Sequence, residues 1–170
     1  MSRDRSLVLA LAAVGAAALV APSVLSAGKR VVFNTTASAP IGFYWLEHRA
    51  PAIGDLAVVR PPAALAAWMA RRRYLPLNVP LLKGVVATAG TQVCVVDERV
   101  FVAGRIVAVA RTRDRWGRPL TPWRGCRRLA ADEVFLLNLA APASLDSRYF
   151  GPLRRQDIVG PARPLWTWER

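Results

Sequence analysis

The stretch Leu7–Ala21, LVLALAAVGAAALVA, has no polar side chain, and it restricts the architecture of this 170-residue chain more than any other feature. Pro22-Ser23-Val24-Leu25-Ser26-Ala27 extends it toward the roughly 20 residues that cross a bilayer core. Arg3 and Arg5 precede it, and Lys29 and Arg30 follow it. Two readings stand: a retained membrane anchor over residues 1–30, or a signal peptide ending at the small residue Ala27. The length of the stretch, and Leu25 where a small side chain belongs, favour the anchor. Under either reading residues 31–170 make one exported domain. The flanking charges nearly balance, so charge alone does not orient it.

Beyond residue 30 the pattern changes to short β-branched runs: Val31–Phe33, Asp55–Val59, Val85–Ala87, Val93–Val96, Val100–Val102 and Ile106–Val109. Gly54, Gly84, Gly90, Gly104 and Gly117 fall between them as turn residues. Asp97-Glu98-Arg99 and Ala103-Gly104-Arg105 join three successive strands into a meander. A helix is predicted over Pro62–Arg73, with Arg71-Arg72-Arg73 at the end where cations suit the helix dipole. A second is expected near Ala130–Val134, and Arg111–Arg128 reads as a long exposed loop. The expected fold is mainly β with one N-terminal transmembrane helix and one or two short helices.

Chemistry is narrowed by what is missing. One histidine, His48, and two cysteines, Cys94 and Cys126, argue against a metal site, and no Cys-x-x-Cys, Walker A or G-x-G-x-x-G motif occurs. No cofactor is expected. An oxidising compartment permits a Cys94–Cys126 disulfide, but two packed thiols fit equally. The net charge of +13 calls for an anionic partner.

Of 24 basic residues only Lys29 and Lys83 are lysine. Lys83 sits in Pro80-Leu81-Leu82-Lys83-Gly84-Val85-Val86, apolar on both sides. Arginine cannot shed its proton in a protein, whereas a desolvated lysine can, so Lys83 is a general-base candidate, or else a strand-end lysine reaching to water. Serine is scarce beyond the N-terminal segment: Ser38, Ser144 and Ser147. Ser38 has small neighbours that let a substrate backbone approach. The Thr36 hydroxyl and the Ser38 backbone N–H are the two candidate donors to a tetrahedral oxyanion.

Four segments together resemble the type I signal peptidase family, and most of all its conjugative-transfer (TraF-type) branch. They are Thr36-Ala37-Ser38-Ala39-Pro40-Ile41-Gly42-Phe43-Tyr44, with its Ser-x-Pro-x-Gly order; Gly54-Asp55-Leu56-Ala57-Val58-Val59; Leu82-Lys83-Gly84-Val85-Val86-Ala87-Thr88-Ala89-Gly90; and Ser144-Leu145-Asp146-Ser147-Arg148-Tyr149-Phe150-Gly151. The resemblance spans residues 30 to 160. It implies Ser38 as nucleophile, Lys83 as general base, Thr36 as oxyanion support and Ser144 as the hydroxyl orienting the lysine. Asp146 and Arg148 would be a structural ion pair bracing the site. It implies cleavage after small residues of a membrane-bound, pilin-like precursor, with a linear product or one whose cleaved end is joined to the N-terminus. The place would be the periplasmic side of a bacterial inner membrane. The family's usual Gly-Asp-Asn is replaced by Leu137-Asn138-Leu139-Ala140-Ala141-Pro142-Ala143, and the region between Pro61 and Pro80 is peculiar to this chain or its branch.

The rival reading is a membrane-tethered assembly or binding protein in which Ser38 and Lys83 are incidental. The Arg- and Trp-rich segment 111–128 suits either nucleic acid or an acidic phospholipid surface, and the anchor favours lipid, with no nucleic acid expected. A self-cleaving repressor would need a DNA-binding module where the apolar stretch lies. The six tryptophans form a membrane-contacting face or pack the core, with Trp166 and Trp168 on a C-terminal strand.

Overall fold

The computed structural model describes residues 2–24 and 30–168. The chain divides into two compact units, 1–30 and 31–170. The first contains helix α1 (Ser2–Val24). Among the described residues no helix is long and apolar enough to cross a membrane. The wholly apolar block Leu7–Ala21 gives about 22 Å of helix, short of a hydrocarbon core of about 30 Å. The expected transmembrane helix is therefore not supported by these residues. Ala27 and Lys29, on which the cleavage and boundary readings fall, lie outside the described residues.

The second unit is mainly β. Its strands are β1 (Val31–Asn34), β2 (Ile41–Leu46), β3 (Leu56–Val59), β4 (Leu81–Ala87), β5 (Gln92–Val96) and β6 (Arg99–Val102). They continue with β7 (Arg105–Val109), β8 (Gly125–Arg128), β9 (Glu133–Leu137), β10 (Leu153–Arg154) and β11 (Ile158–Trp168). Helices α2 (Ala63–Arg71) and α3 (Ser147–Phe150) interrupt them. One sheet has the order β1-β2-β11-β3-β4-β9-β10, the other β7-β6-β5-β8.

The meander forms as expected. Asp97 and Glu98, then Ala103 and Gly104, all have positive φ, as two-residue hairpin turns require. Cys94 stands directly opposite Cys126 on β5 and β8, and the two form a disulfide. The helix expected at Ala130–Val134 is instead the approach to β9. Glu133–Leu137 lies between β4 and β10 and is almost wholly buried, so burial of a continuous apolar run overrides the helix propensity of Ala130-Ala131-Asp132-Glu133. Segment 111–128 is not all loop: it ends in β8, whose four residues are all exposed and so show no alternation to read. Gly84 is no turn residue. It lies within β4, where an added Cβ would meet the Leu137 carbonyl oxygen at 2.7 Å, so glycine is what lets β9 approach.

Three apolar clusters hold the unit. Ala87, Phe135 and Leu137 of the larger sheet pack against Val93, Val95 and Val100 of the smaller. Met69 of α2 closes over Ala57, Val59, Val85 and Leu136. Tyr44, Leu46, Val58 and Leu82 support the loop between β1 and β2 through Ala39. Trp166 and Trp168 are not core residues. They are 73% and 44% exposed, on an edge shared with exposed Phe33 and Phe43.

Candidate active site

Lys83 is the third residue of β4, flanked by Ala57 of β3 in register on one side and by the end of β9 on the other. That position leaves it 3% exposed. Its Nζ donates to Ser144 Oγ at 2.7 Å and lies 3.4 Å from Ser38 Oγ. Burial pulls the ammonium down to about 8; the Asp146 carboxylate acts against this fall and the Arg148 guanidinium adds to it. An amine so placed, once neutral, has a lone pair to accept a hydroxyl proton while still donating to Ser144. Ser38 is half-buried, on the wall of a cavity of about 370 Å³ that Lys83 and Ser144 also line.

The loop carrying Ser38 is tied by one buried side chain that sequence reasoning passed over. The Asn34 amide nitrogen donates to the carbonyls of Thr36, Ala39 and Pro40, and its oxygen accepts from the Thr36 backbone N–H and hydroxyl. The Tyr44 hydroxyl adds a 2.6 Å bond to the Pro40 carbonyl. Thr36 Oγ1 is 3.2 Å from Ser38 Oγ, but its proton is donated to Asn34 Oδ1. As an oxyanion donor Thr36 would have to release Asn34.

A second missed residue is Asn138, in the segment that departs from the family pattern. Its amide nitrogen donates to the Ser38 carbonyl at 2.6 Å and the Leu82 carbonyl at 3.0 Å, while its oxygen accepts from Gly84 N–H at 2.9 Å. One buried amide thereby fastens the Ser38 loop to the strand bearing Lys83 on both sides of the lysine. The only signal in the sequence was a polar residue directly after the apolar run of β9.

The segment 144–151 organises the rest. Asp146 is fully buried, accepts from the Asn138 N–H at 3.1 Å, and faces Arg148 Nε at 3.5 Å. Burial outweighs the pull of Arg148 and holds the carboxyl above its ordinary range. Arg148, 1% exposed, donates to the carbonyls of Asn138, Ala141 and Pro142 and so shapes the turn before Ser144. Ser147 Oγ accepts from Leu136 N–H, pinning α3 to β9. Gly151 has φ of 71°, and an added Cβ would strike the Trp123 ring at 2.8 Å. The structure thus brings Ser38, Lys83, Ser144 and Thr36 together, with Asp146 and Arg148 behind them. His48 is exposed and outside this cavity.

Comparison with known proteins agrees with the resemblance. The family model for signal peptidase, peptidase S26, matches residues 4–168. The plasmid transfer protein TraF of Escherichia coli is 32% identical over 164 residues, covering 91% of this chain and 92% of that protein. The probable conjugal transfer protein TraF of Sinorhizobium fredii is 37% identical over 146 residues, covering 79% and 76%. A solved signal peptidase I from Enterococcus faecalis V583 aligns at 16% identity with a TM-score of 0.41, over 68% of this chain and 98% of that one.

Proposed function

The chain belongs to the signal peptidase family S26, in its TraF-like branch, and on that premise we propose that it is a membrane-anchored serine endopeptidase working through Ser38 and Lys83. The observation that carries the reading is the buried Lys83 amine, held between the Ser38 and Ser144 hydroxyls and shifted down to about 8. Neutral Lys83 takes the Ser38 proton as Oγ attacks the scissile carbonyl. The tetrahedral intermediate collapses with transfer of that proton to the departing amine, leaving an acyl-enzyme. Water, or the amine at another chain end, then attacks the ester, and Lys83 receives the proton and returns it to Ser38. Ser144 keeps the amine aimed, and Asp146 and Arg148 hold the turn that carries Ser144. This is the Ser-Lys variant of triad logic, in which histidine has no part.

The relatives are plasmid and conjugal transfer proteins, which supports a role in conjugation. The branch resemblance extends the substrate to a pilin-like precursor with small residues before the cleaved bond, and the product to a linear or circularised chain. The apolar stretch from Leu7 to Ala27 supports membrane anchoring, with the peptidase unit on the periplasmic side. The exposed Phe33, Phe43, Trp166 and Trp168 suit contact with the same lipid surface. Sharing a membrane with the precursor would raise its effective concentration.

The test is cleavage of a candidate pilin precursor by detergent-solubilised wild type, Ser38→Ala and Lys83→Ala, with products weighed by mass spectrometry. Cleavage by wild type alone, with both variants folded, is the expected result, and a product lighter by one water marks circularisation. Wild-type cleavage by both folded variants would end the assignment.

A further inference from the structure

The cavity beside Ser38 has a second wall that the proposed chemistry does not use. Residues 111–120 form a hairpin across it, bridged between Arg113 and Pro119 and tied by Leu120 N–H to the Thr112 carbonyl. Its turn is organised by Asp114, whose carboxylate accepts from Tyr74 OH, from Arg118 Nε, and from the backbone N–H groups of Trp116 and Arg118. The Arg118 guanidinium lies 5.1 Å from the centre of the Tyr74 ring and 4.5 Å from that of Trp116. Tyr74, just beyond α2, also stacks on Trp68. At the other end, Arg111 N–H donates to the Tyr149 hydroxyl. The hairpin is therefore fastened to the α2 region and to α3, and it is a rigid platform.

This platform presents Arg111, Arg113 and Arg115 at alternate positions, and all three line the cavity. Arg113 spends one N–H on the Gly117 carbonyl, and Arg115 lies over the Trp116 ring. None of the three has an acidic partner among the described residues, and the one carboxylate in the wall, Asp114, is taken by Arg118 and Tyr74. Three unneutralised guanidiniums along the cavity that holds the candidate nucleophile are complementary to carboxylate on the bound chain. Sharing the cavity with Ser38 favours peptide over lipid as the source of that charge.

We propose that the 111–120 hairpin is a substrate-selecting element that binds a carboxylate of the peptide, from an acidic side chain or a chain terminus, through Arg111, Arg113 and Arg115. The inference rests on the reading of this cavity as a peptide-cleaving site.

The test measures binding without turnover, using full-length Ser38→Ala protein in detergent micelles and short fluorescent peptides with an Ala-x-Ala core. One peptide carries flanking Glu and its counterpart Gln, each with a free or an amidated C-terminus. The carboxylate-bearing form should bind about tenfold more tightly at low salt, the scale of three exposed ion pairs, and added salt should erase the difference. Arg111→Gln/Arg113→Gln/Arg115→Gln should abolish the preference and leave binding of the amidated Gln peptide unchanged. The single variants, each losing part of the preference, keep the test valid should the triple variant fail to fold. A preference following Glu assigns the side chain, and one following amidation assigns the terminus. Equal binding of all forms, including no binding of any, overturns the proposal. So does a triple variant that keeps the peptide preference and loses only sedimentation with phosphatidylglycerol vesicles. Because Ser38 is absent from the binding assay, failure of wild type to cleave these peptides would sink the peptidase reading alone.

Discussion

The two sheets of residues 31–170 are held together in opposite ways. The four-stranded sheet is built from neighbours in sequence: β5, β6 and β7 follow one another through two-residue turns, and a disulfide locks β8 to β5. The seven-stranded sheet joins distant segments, with β11 placed between β2 and β3 and β9 beside β4. Lys83 of this sheet, Asn34 at the end of its edge strand, and Asn138, Ser144, Asp146 and Arg148 in the segment after β9 are all buried. Burying polar groups yields little net stability even when each is paired, and a buried amine costs more. One sheet is thus arranged for stability, and the other accepts a cost to bury polar groups around Lys83.

Substitutions should separate the two regions, and the largest effect belongs to the polar one. Ser38→Ala or Lys83→Met should lower kcat by about a thousandfold or more, measured on a cleaved precursor. Activity of the wild type should rise with pH through about 8, as Lys83 loses its proton. Stability should rise with pH as well. The folded state holds Lys83 at about 8 against 10.5 ordinarily, so it binds fewer protons than the unfolded chain in that interval. The lysine's contribution to stability is therefore present above the upper value and lost as pH falls to the lower one. Lys83→Met should consequently raise stability at pH 7 by up to about 3 kcal/mol, with the gain vanishing above pH 10.5 in urea titrations. A variant no more stable than wild type at pH 7 would break the contrast between the sheets.

Next in size, replacing both Cys94 and Cys126 by alanine should cost about 3 kcal/mol in urea melts and leave kcat near wild type. Loss of activity in protein that remains folded would mean that the smaller sheet also shapes the site. Asn138→Ala leaves Gly84 N–H and the Ser38 and Leu82 carbonyls without their partner, and should cost about 2 kcal/mol. It should also lower kcat far more than the disulfide variant does, because Ser38 and Lys83 lose their shared tether. Equal kcat for the two variants would remove Asn138 from the positioning role. The smallest effect is expected at Glu98, whose φ of 62° suits glycine: Glu98→Gly should raise stability by about 0.5 kcal/mol with kcat unchanged.

Much of the smaller sheet was legible because its information is local. Alternating β-branched runs separated by turn residues mark β5, β6 and β7, and the Ala- and Leu-rich stretch ending in arginines marks α2. The choice of lysine at position 83 in a chain of arginines pointed to a deprotonable amine, because only one of those side chains can lose its proton. The motif segments were enough to name Thr36, Ser38, Lys83 and Ser144, which line one cavity. Tertiary structure decided what local pattern does not encode. Residues 133–137 became a strand because both their faces are covered, and Trp166 and Trp168 stayed exposed because β11 turns them from the core. Cys94 and Cys126 joined because β8 pairs with β5 in that register. Asn138 acquired its role from carbonyls brought to it by folding, 100 residues away in the bond to Ser38, whereas Asn34 bonds within its own loop to Thr36, Ala39 and Pro40. A side chain's chemistry can be read from its type, but partners far away in sequence reach it only once distant segments have packed.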